Sequence, residues 1–437
     1  MEHTISTDQH IINTLLLNAS FIDNIGLMHG KMGISIFFFH LALQTKNKIY
    51  EDYAGELIDE IYEEITDNTP VDFENGLAGI GWGIEYLVQN GFIEADTDEV
   101  LEEFDNRIFK ELIYNTPKEI GLLNGLLGIG AYFLKRIQNQ YSNDEKTPTL
   151  TNKQTLIHVI DELDRRVLDI SEIIKEPEAN IEPLEHSNNQ ILEHSNNQTL
   201  ELSNPETKET FEPKPCFNIT WNYPVILWFL AELYQQNIFN FKVEKLIQQM
   251  IEPLSNNQNL PKLQSNRLLL ALALTKLRQT LEHLNSQALE QLNAETINTN
   301  LFIDLNRETI KSELLLNDFT IKHGTSGIAW IYKQLFELTS EIQFKKELEY
   351  WVTQSSHAEN DVKNNTVIGD STNHKETAFG ILEGQAGILL NYQTISHSNT
   401  NTIKYLSTKT INKYNIKQGK GQEARLFAQL PLPASAP

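Results

Sequence analysis

The sequence predicts an all-α fold, an α/α toroid of about six helical hairpins with glycine-led inner helices. Three observations carry this. A Gly-x-x-Gly-Ile pattern recurs five times, at Gly30, Gly76, Gly125, Gly324 and Gly384. Each copy opens an apolar, helix-like run. The first three copies are spaced by 46 and 49 residues, room for one helical hairpin each. A glycine inside a helix costs about 1 kcal/mol relative to alanine. Five recurrences of that cost imply bare backbone where the inner helices begin, and a repeat of this period outranks other signals in fixing the fold.

The first copy, Gly30-Lys31-Met32-Gly33-Ile34, leads into Ile34 to Leu43, the most apolar run of the chain. Between copies lie amphipathic stretches, Tyr53 to Ile65 and Val100 to Ile113. Leu57, Ile58, Ile61 and Ile65 keep a helical period. The inner helices are apolar almost all round, as buried helices are. The second and third copies precede Trp82 to Val88 and Ala131 to Leu134. A sixth candidate, Trp221 to Leu230, is apolar but lacks the glycines. The fourth and fifth glycine copies precede Ala329 to Leu335 and Ile388 to Tyr392. Glycine permits close backbone approach where inner helix starts crowd a shared centre. Their free N–H groups are expected to attract anions there.

The expected single domain spans 1–417. A polar insertion at 175–215 interrupts it, with the tandem copies Glu185 to Gln190 and Glu193 to Gln198. Such a segment has too few core formers to order itself. The Pro-rich tail 418–437 reads as unstructured for the same reason.

Net charge is −24, from 35 basic and 59 acidic residues. That argues against nucleic acid or an anionic membrane as partner and suits a cationic peptide. The one cysteine, Cys216, excludes an intrachain disulfide framework and points to a reducing compartment. The N-terminal stretch lacks a signal-like apolar core. Ile34 to Leu43 is too short to span a bilayer. The expectation is a cytoplasmic protein without membrane insertion.

The glycine-led helices, from about Asn24 to Tyr392, resemble the lanthionine synthetase C-like family, the cyclases of lanthipeptide maturation. Val71-Asp72-Phe73-Glu74-Asn75-Gly76 is similar to the motif whose Asp is an acid/base residue, which places Asp72 in that role. Gly121-Leu122-Leu123-Asn124-Gly125 resembles a Gly-x-x-His-Gly motif, with Asn124 in place of the functional His. Trp221-Asn222 matches a Trp-Cys motif, with Asn222 where the family has a zinc-ligating Cys. Lys322-His323-Gly324 matches Cys-His-Gly, which supplies two zinc ligands, and only His323 and Gly324 are kept. Leu382-Glu383-Gly384 fits the last motif well.

The resemblance implies addition of a peptide Cys thiol across a dehydrated Ser or Thr of a precursor peptide, with a dehydratase as a further partner. Zinc held by two Cys and one His leaves a position for the substrate thiol and deprotonates it. With Asn222 and Lys322 in place of both cysteines, zinc is doubtful and no metal ligand is assigned. Cys216 and His374 are the remaining candidate substitutes. In a zinc-free site Lys322 and His323 would favour the thiolate electrostatically. Asp72 or His29 would move protons. Asn124, Trp221, Asn222, Gly324 and Glu383 are the expected substrate contacts.

The residues alone leave other readings open. Asp72 suits a helix cap, His29 and His323 suit structural roles, and Glu383 suits a cap. A non-catalytic peptide- or partner-binding relative fits the lost cysteines. A six-hairpin carbohydrate-active enzyme would need two carboxylates, for which Asp72 and Glu383 or Glu74 are the nearest candidates.

Overall fold

A computed structural model describes residues 2–142, 150–167, 170–179, 214–255, 259–283, 302, 304–314, 318–362 and 379–389. The tandem copies at 185–198, His374 and the tail 418–437 lie outside them.

Helices follow one another in pairs. After α1 (Glu2–Asn18) come α2 (Lys31–Thr45) with α3 (Lys48–Glu64), then α4 (Leu77–Gln89) with the short α5 (Thr97–Val100) and α6 (Glu102–Tyr114). Next are α7 (Leu126–Ser142) with α8 (Leu150–Arg166) and the short α9 (Ile170–Ile173). Then come α10 (Asn222–Gln235) with α11 (Asn240–Ile251), and α12 (Gln264–His283) with α13 (Arg307–Glu313). The last described pair is α14 (Thr325–Thr339) with α15 (Ile342–Val362), and residues 385–389 begin another helix. Two short strands, β1 (Glu178–Ala179) and β2 (Lys214–Pro215), pair antiparallel and tie together the two ends of the polar insertion.

Burial sorts these helices into two layers. Residues Lys31 to Phe39 of α2 are all buried, with no outward polar face. On α3 only Ala54, Leu57, Ile58 and Ile61 are buried, and Asn47 caps it by accepting from the Ile49 N–H at 3.1 Å. Phe104, Ile108 and Leu112 play the same part on α6. The inner helices α2, α4, α7, α10, α12 and α14 pack in that order.

Backbone hydrogen bonds between the loops at the inner helix starts close the ring. Phe73 N donates to Leu123 O (3.0 Å), Met28 N to Glu74 O (3.0 Å), and Ile381 N to Met28 O (2.9 Å). Lys322 N donates to Leu382 O and Ile219 N to Lys322 O, both 3.0 Å. The last glycine motif is thereby joined directly to the first. The inner helices α2, α4, α7, α10 and α14 consequently begin at one face of the ring, here called the tip face.

The glycines answer to their own loops. Before α4 the chain folds back over the first helical turn, so Leu77 N donates to Pro70 O at 2.8 Å. A Cβ on Gly79 would overlap the Phe73 carbonyl oxygen, and one on Gly76 the Pro70 carbonyl. The same wrap recurs at Lys31 N to Asn24 O (2.9 Å), Leu126 N to Glu119 O (3.0 Å) and Thr325 N to Asp318 O (3.2 Å). This corrects the expectation that these helix starts offer free N–H groups to an anion. Their first donors are already satisfied by loop carbonyls.

The ring also holds an inner helix that the glycine pattern does not announce. α12 packs between α10 and α14 and is buried from Leu268 to Leu274. It needs no glycine because side-chain carboxylates cap it. Glu313 accepts from Gln264 N (2.9 Å) and Ser265 N (2.8 Å), and Glu176 accepts from Lys262 N (2.8 Å) and Leu263 N (3.1 Å). With no loop backbone lying over its first turn, a Cβ is tolerated there. At α10, Pro224 in the first turn removes a donor that would otherwise need a cap.

Among the described residues no helix is long and apolar enough to cross a membrane. One half-buried titratable group gives the fold a pH signature. His40 of α2 bonds Tyr86 Oη at 2.8 Å. Burial, with a smaller contribution from Lys333, pushes its pKa down to about 4. The unfolded chain binds this proton near pH 6.5 and the folded chain does not. Stability attributable to His40 is therefore complete above pH 6.5 and falls as pH drops toward 4, by up to about 3 kcal/mol. Denaturant melts of wild type and His40→Gln between pH 7 and 4 check this. The variant is expected to lose part of the acid sensitivity.

Candidate active site

The loops at the tip face place most of the expected residues on neighbouring motifs. His29, from the loop before α2, has its Nε2 at 2.9 Å from Glu74 Oε1, in the loop before α4. The hydrogen bond from His29 holds the Glu74 carboxyl below the usual range, against burial and with help from Asn124 and the Lys322 charge. Glu74 is therefore ionised and accepts, so Nε2 carries the hydrogen. The His29 Nδ1 atom is buried and has no hydrogen-bond partner among the described residues.

Lys322, before α14, is ion-paired through Nζ with Glu383 Oε1 from the last motif. His323 follows it, and its Nδ1 lies 2.7 Å from the Phe217 carbonyl. A carbonyl only accepts, so Nδ1–H donates and neutral His323 keeps its lone pair on Nε2. His29, Glu74, Asn124, Lys322 and Glu383 thus form one connected polar group spanning five motifs. Sequence reasoning considered Glu74 only as a spare carboxylate, yet it is the member to which His29 and Asn124 both bond. The signal was local: two residues before Gly76, Glu74 lies in the loop that pairs with Leu123 on one side and Met28 on the other.

Asp72 sits in the same loop as Glu74. Its Oδ1 accepts from the Asn75 N–H at 2.7 Å, which makes it a turn-former, while Gly76 is the N-cap of α4. Burial pushes the Asp72 carboxyl up, opposed by that hydrogen bond and reinforced by the Glu74 charge. Gly324 is the extended N-cap of α14 (φ −113°, ψ −169°) and lies under Asp318, whose carbonyl a Cβ would overlap. Its requirement comes from the loop.

Asn124 also borders a cleft that Trp221 and Asn222 line on the same face. The loops before α7 and α10 are separated by a cleft of about 380 Å³, lined among others by Glu119, Gly121, Asn124, Asn218, Trp221 and Asn222. Trp221 is 4% exposed, and its Nε1–H has no hydrogen-bond partner among the described residues.

The donor set does not fit zinc. The positions in question hold a carboxamide (Asn222), an ammonium paired with Glu383 (Lys322) and a single imidazole (His323). An ammonium has no lone pair to give. Among the described residues no group of three or more His, Cys, Asp or Glu side chains could hold a metal ion. Cys216 is buried, with its N–H bonded to Pro177 O (2.8 Å) and its carbonyl to Asn266 Nδ2 (3.0 Å). Burial pushes its thiol up, which keeps it protonated and inert.

The family described as lanthionine synthetase C-like protein matches residues 22–181 and 280–408, about two thirds of the chain. The chain belongs to the lanthionine synthetase C-like family. Among solved structures it is similar to a nisin cyclase, with a TM-score of 0.55 and 16% identity over 91% of this chain and 95% of that one. At that identity the likeness speaks for the α/α toroid fold alone. No curated protein sequence matches. The matched residues include Asp72, Asn124, Lys322, His323 and Glu383, whereas Trp221 and Asn222 lie between the two matched segments.

Proposed function

We propose that this protein acts in ribosomal peptide modification and forms thioether (lanthionine) bridges without a resident zinc ion. The substrate is a precursor peptide carrying a Cys thiol and a dehydrated Ser or Thr. Because the dehydro residue arises by loss of water from Ser or Thr, a dehydratase must act first.

The observation that carries this reading is the fixed tautomer of His323 beside Lys322. Its Nδ1–H is held by Phe217, so Nε2 is the atom able to take the thiol proton. The resulting imidazolium and the Lys322 ammonium both favour the thiolate, whose ordinary pKa is about 8.5. Sulfur then bonds to the β-carbon of the dehydro residue, and the π electrons pass to the α-carbon. A proton returned to that carbon completes the addition with no change in mass. Asp72 is the proposed acid, since its buried carboxyl holds a proton more readily than an exposed one. His29, oriented by Glu74, is the alternative proton carrier on the adjoining loop. Asn124, Trp221, Asn222 and Glu383 are the proposed peptide contacts.

A second reading, peptide binding without catalysis, is favoured by one observation: Glu383 already neutralises Lys322. Thiol blocking separates the two. A dehydrated precursor is incubated with the protein under chelator, alkylated, and weighed. Loss of alkylatable thiols supports thioether formation. Persistent thiols on a bound peptide support the second reading. For an active protein, His323→Ala and Asp72→Asn are each expected to slow thiol loss by about 100-fold, the usual scale of a general acid or base. Unchanged rates in both variants would overturn the site assignment.

A further inference from the structure

Below the tips, the inner helices carry a second group of polar side chains that thioether chemistry does not use. His40 of α2, Tyr86 of α4, Lys135 of α7, Glu232 of α10, Lys276 of α12 and Lys333 of α14 are all half-buried. They occupy the ninth to thirteenth positions of their helices, counted from the printed starts. At 1.5 Å per residue this level lies about 14 Å below the tip face. One turn nearer the tips, Trp82, Trp228 and Trp330 are likewise half-buried.

Contacts link the group around the ring. His40 bonds Tyr86 at 2.8 Å. The Lys135 ammonium lies over the rings of Trp82 (5.6 Å) and Tyr86 (5.7 Å). Glu232 pairs with Lys276 at 2.9 Å and accepts from Gln138 at 3.0 Å. Lys276 stands over Trp228 at 5.6 Å. Lys333 and His40 interact electrostatically.

Charge is not balanced at this level. No carboxylate of the described residues lies within ion-pair distance of Lys135. Glu85 and Glu232, which act on it electrostatically, are paired with Arg136 and Lys276 respectively. The carboxylate nearest Lys333 is Glu337, 3.9 Å away and half-exposed. Burial pushes both ammonium groups down from their usual range. A cation desolvated without a close counter-ion is costly. An arriving anion would recover that cost.

We propose that this belt is an anion site, taking a carboxylate or phosphate group between Lys135 and Lys333 against the indoles of Trp82 and Trp330. It stands apart from the tip-face chemistry and does not depend on it. The competing account is that the lysines only offset the negative ends of parallel helix dipoles.

Calorimetric titration of the full chain with inorganic phosphate, and separately with acetate, tests the proposal. Saturable binding of either probe is expected, weakened at least about tenfold by Lys135→Met and by Lys333→Met, the scale of one charge-assisted hydrogen bond. Thermal melts of the variants report whether they remain folded, and relieving a desolvated charge is expected to preserve Tm. Neither probe binding, or equal binding by wild type and by folded variants, would overturn the anion site in favour of dipole compensation. No dehydrated peptide enters the experiment, so its failure is independent of the thioether reading.

Discussion

Gly79→Ala is expected to destabilise the protein by about 3 kcal/mol or more, although alanine is the better helix former. Gly79 lies in the first turn of α4, and a Cβ there would overlap the Phe73 carbonyl and press on Leu27 Cβ at 3.0 Å. Phe73 cannot retreat cheaply. Its N–H is bonded to Leu123 O, and the next residue holds Met28 through its carbonyl. Moving Phe73 therefore disturbs contacts to two neighbouring motifs as well as its own helix. Gly55→Ala supplies the control. Gly55 is helical in α3, and nothing lies within 4 Å of the Cβ it would gain. That variant is expected to gain about 0.5–1 kcal/mol. Denaturant unfolding of both variants checks the pair. Equal and small effects would mean that the loop wrap does not require glycine.

Arg136→Met is expected to cost about 3–5 kcal/mol, because it strands buried carboxylates. Arg136 of α7 is 1% exposed and bonds Glu85 of α4, which is fully buried. It also reaches Asp105 of α6 (2.9 Å) and Asp98 of α5 (3.2 Å), while Tyr132 donates to the same Asp105 carboxylate at 2.5 Å. Burial opposes the guanidinium charge, but Asp105 and Glu85 outweigh it and raise its pKa. One guanidinium thus ties an inner helix pair to its outer partners. The double variant Arg136→Met, Glu85→Gln is expected to recover part of the loss, since it removes the deepest stranded charge. No recovery would mean that packing volume, rather than charge, sets the cost.

The ring was legible in the sequence where its helices begin under a folded-back loop. That geometry forbids a Cβ at Gly30, Gly33, Gly76 and Gly79 alike, so it leaves a fixed spacing behind. α12 left no such mark, because Glu313 and Glu176 cap it from remote positions that no local pattern connects. The amphipathic outer helices α3 and α6 were visible from period alone. The tip-face residues were located by motif, but their pairings were not. That Glu74 holds His29, and Glu383 holds Lys322, depends on loops 45 and 61 residues apart being brought together by ring closure. Asn222 and Lys322, standing where the resemblance implies zinc-ligating cysteines, were readable directly, since they concern residue identity rather than arrangement.

This member of the family is proposed to close thioether rings with its own imidazole, ammonium and carboxyl groups. The most direct measurement follows thiol loss from a dehydrated precursor while the metal content of the same protein sample is determined. Thiol loss is expected to persist at sub-stoichiometric zinc and not to rise when zinc is restored. Activity that vanishes with chelation and returns in proportion to bound zinc would contradict the proposal.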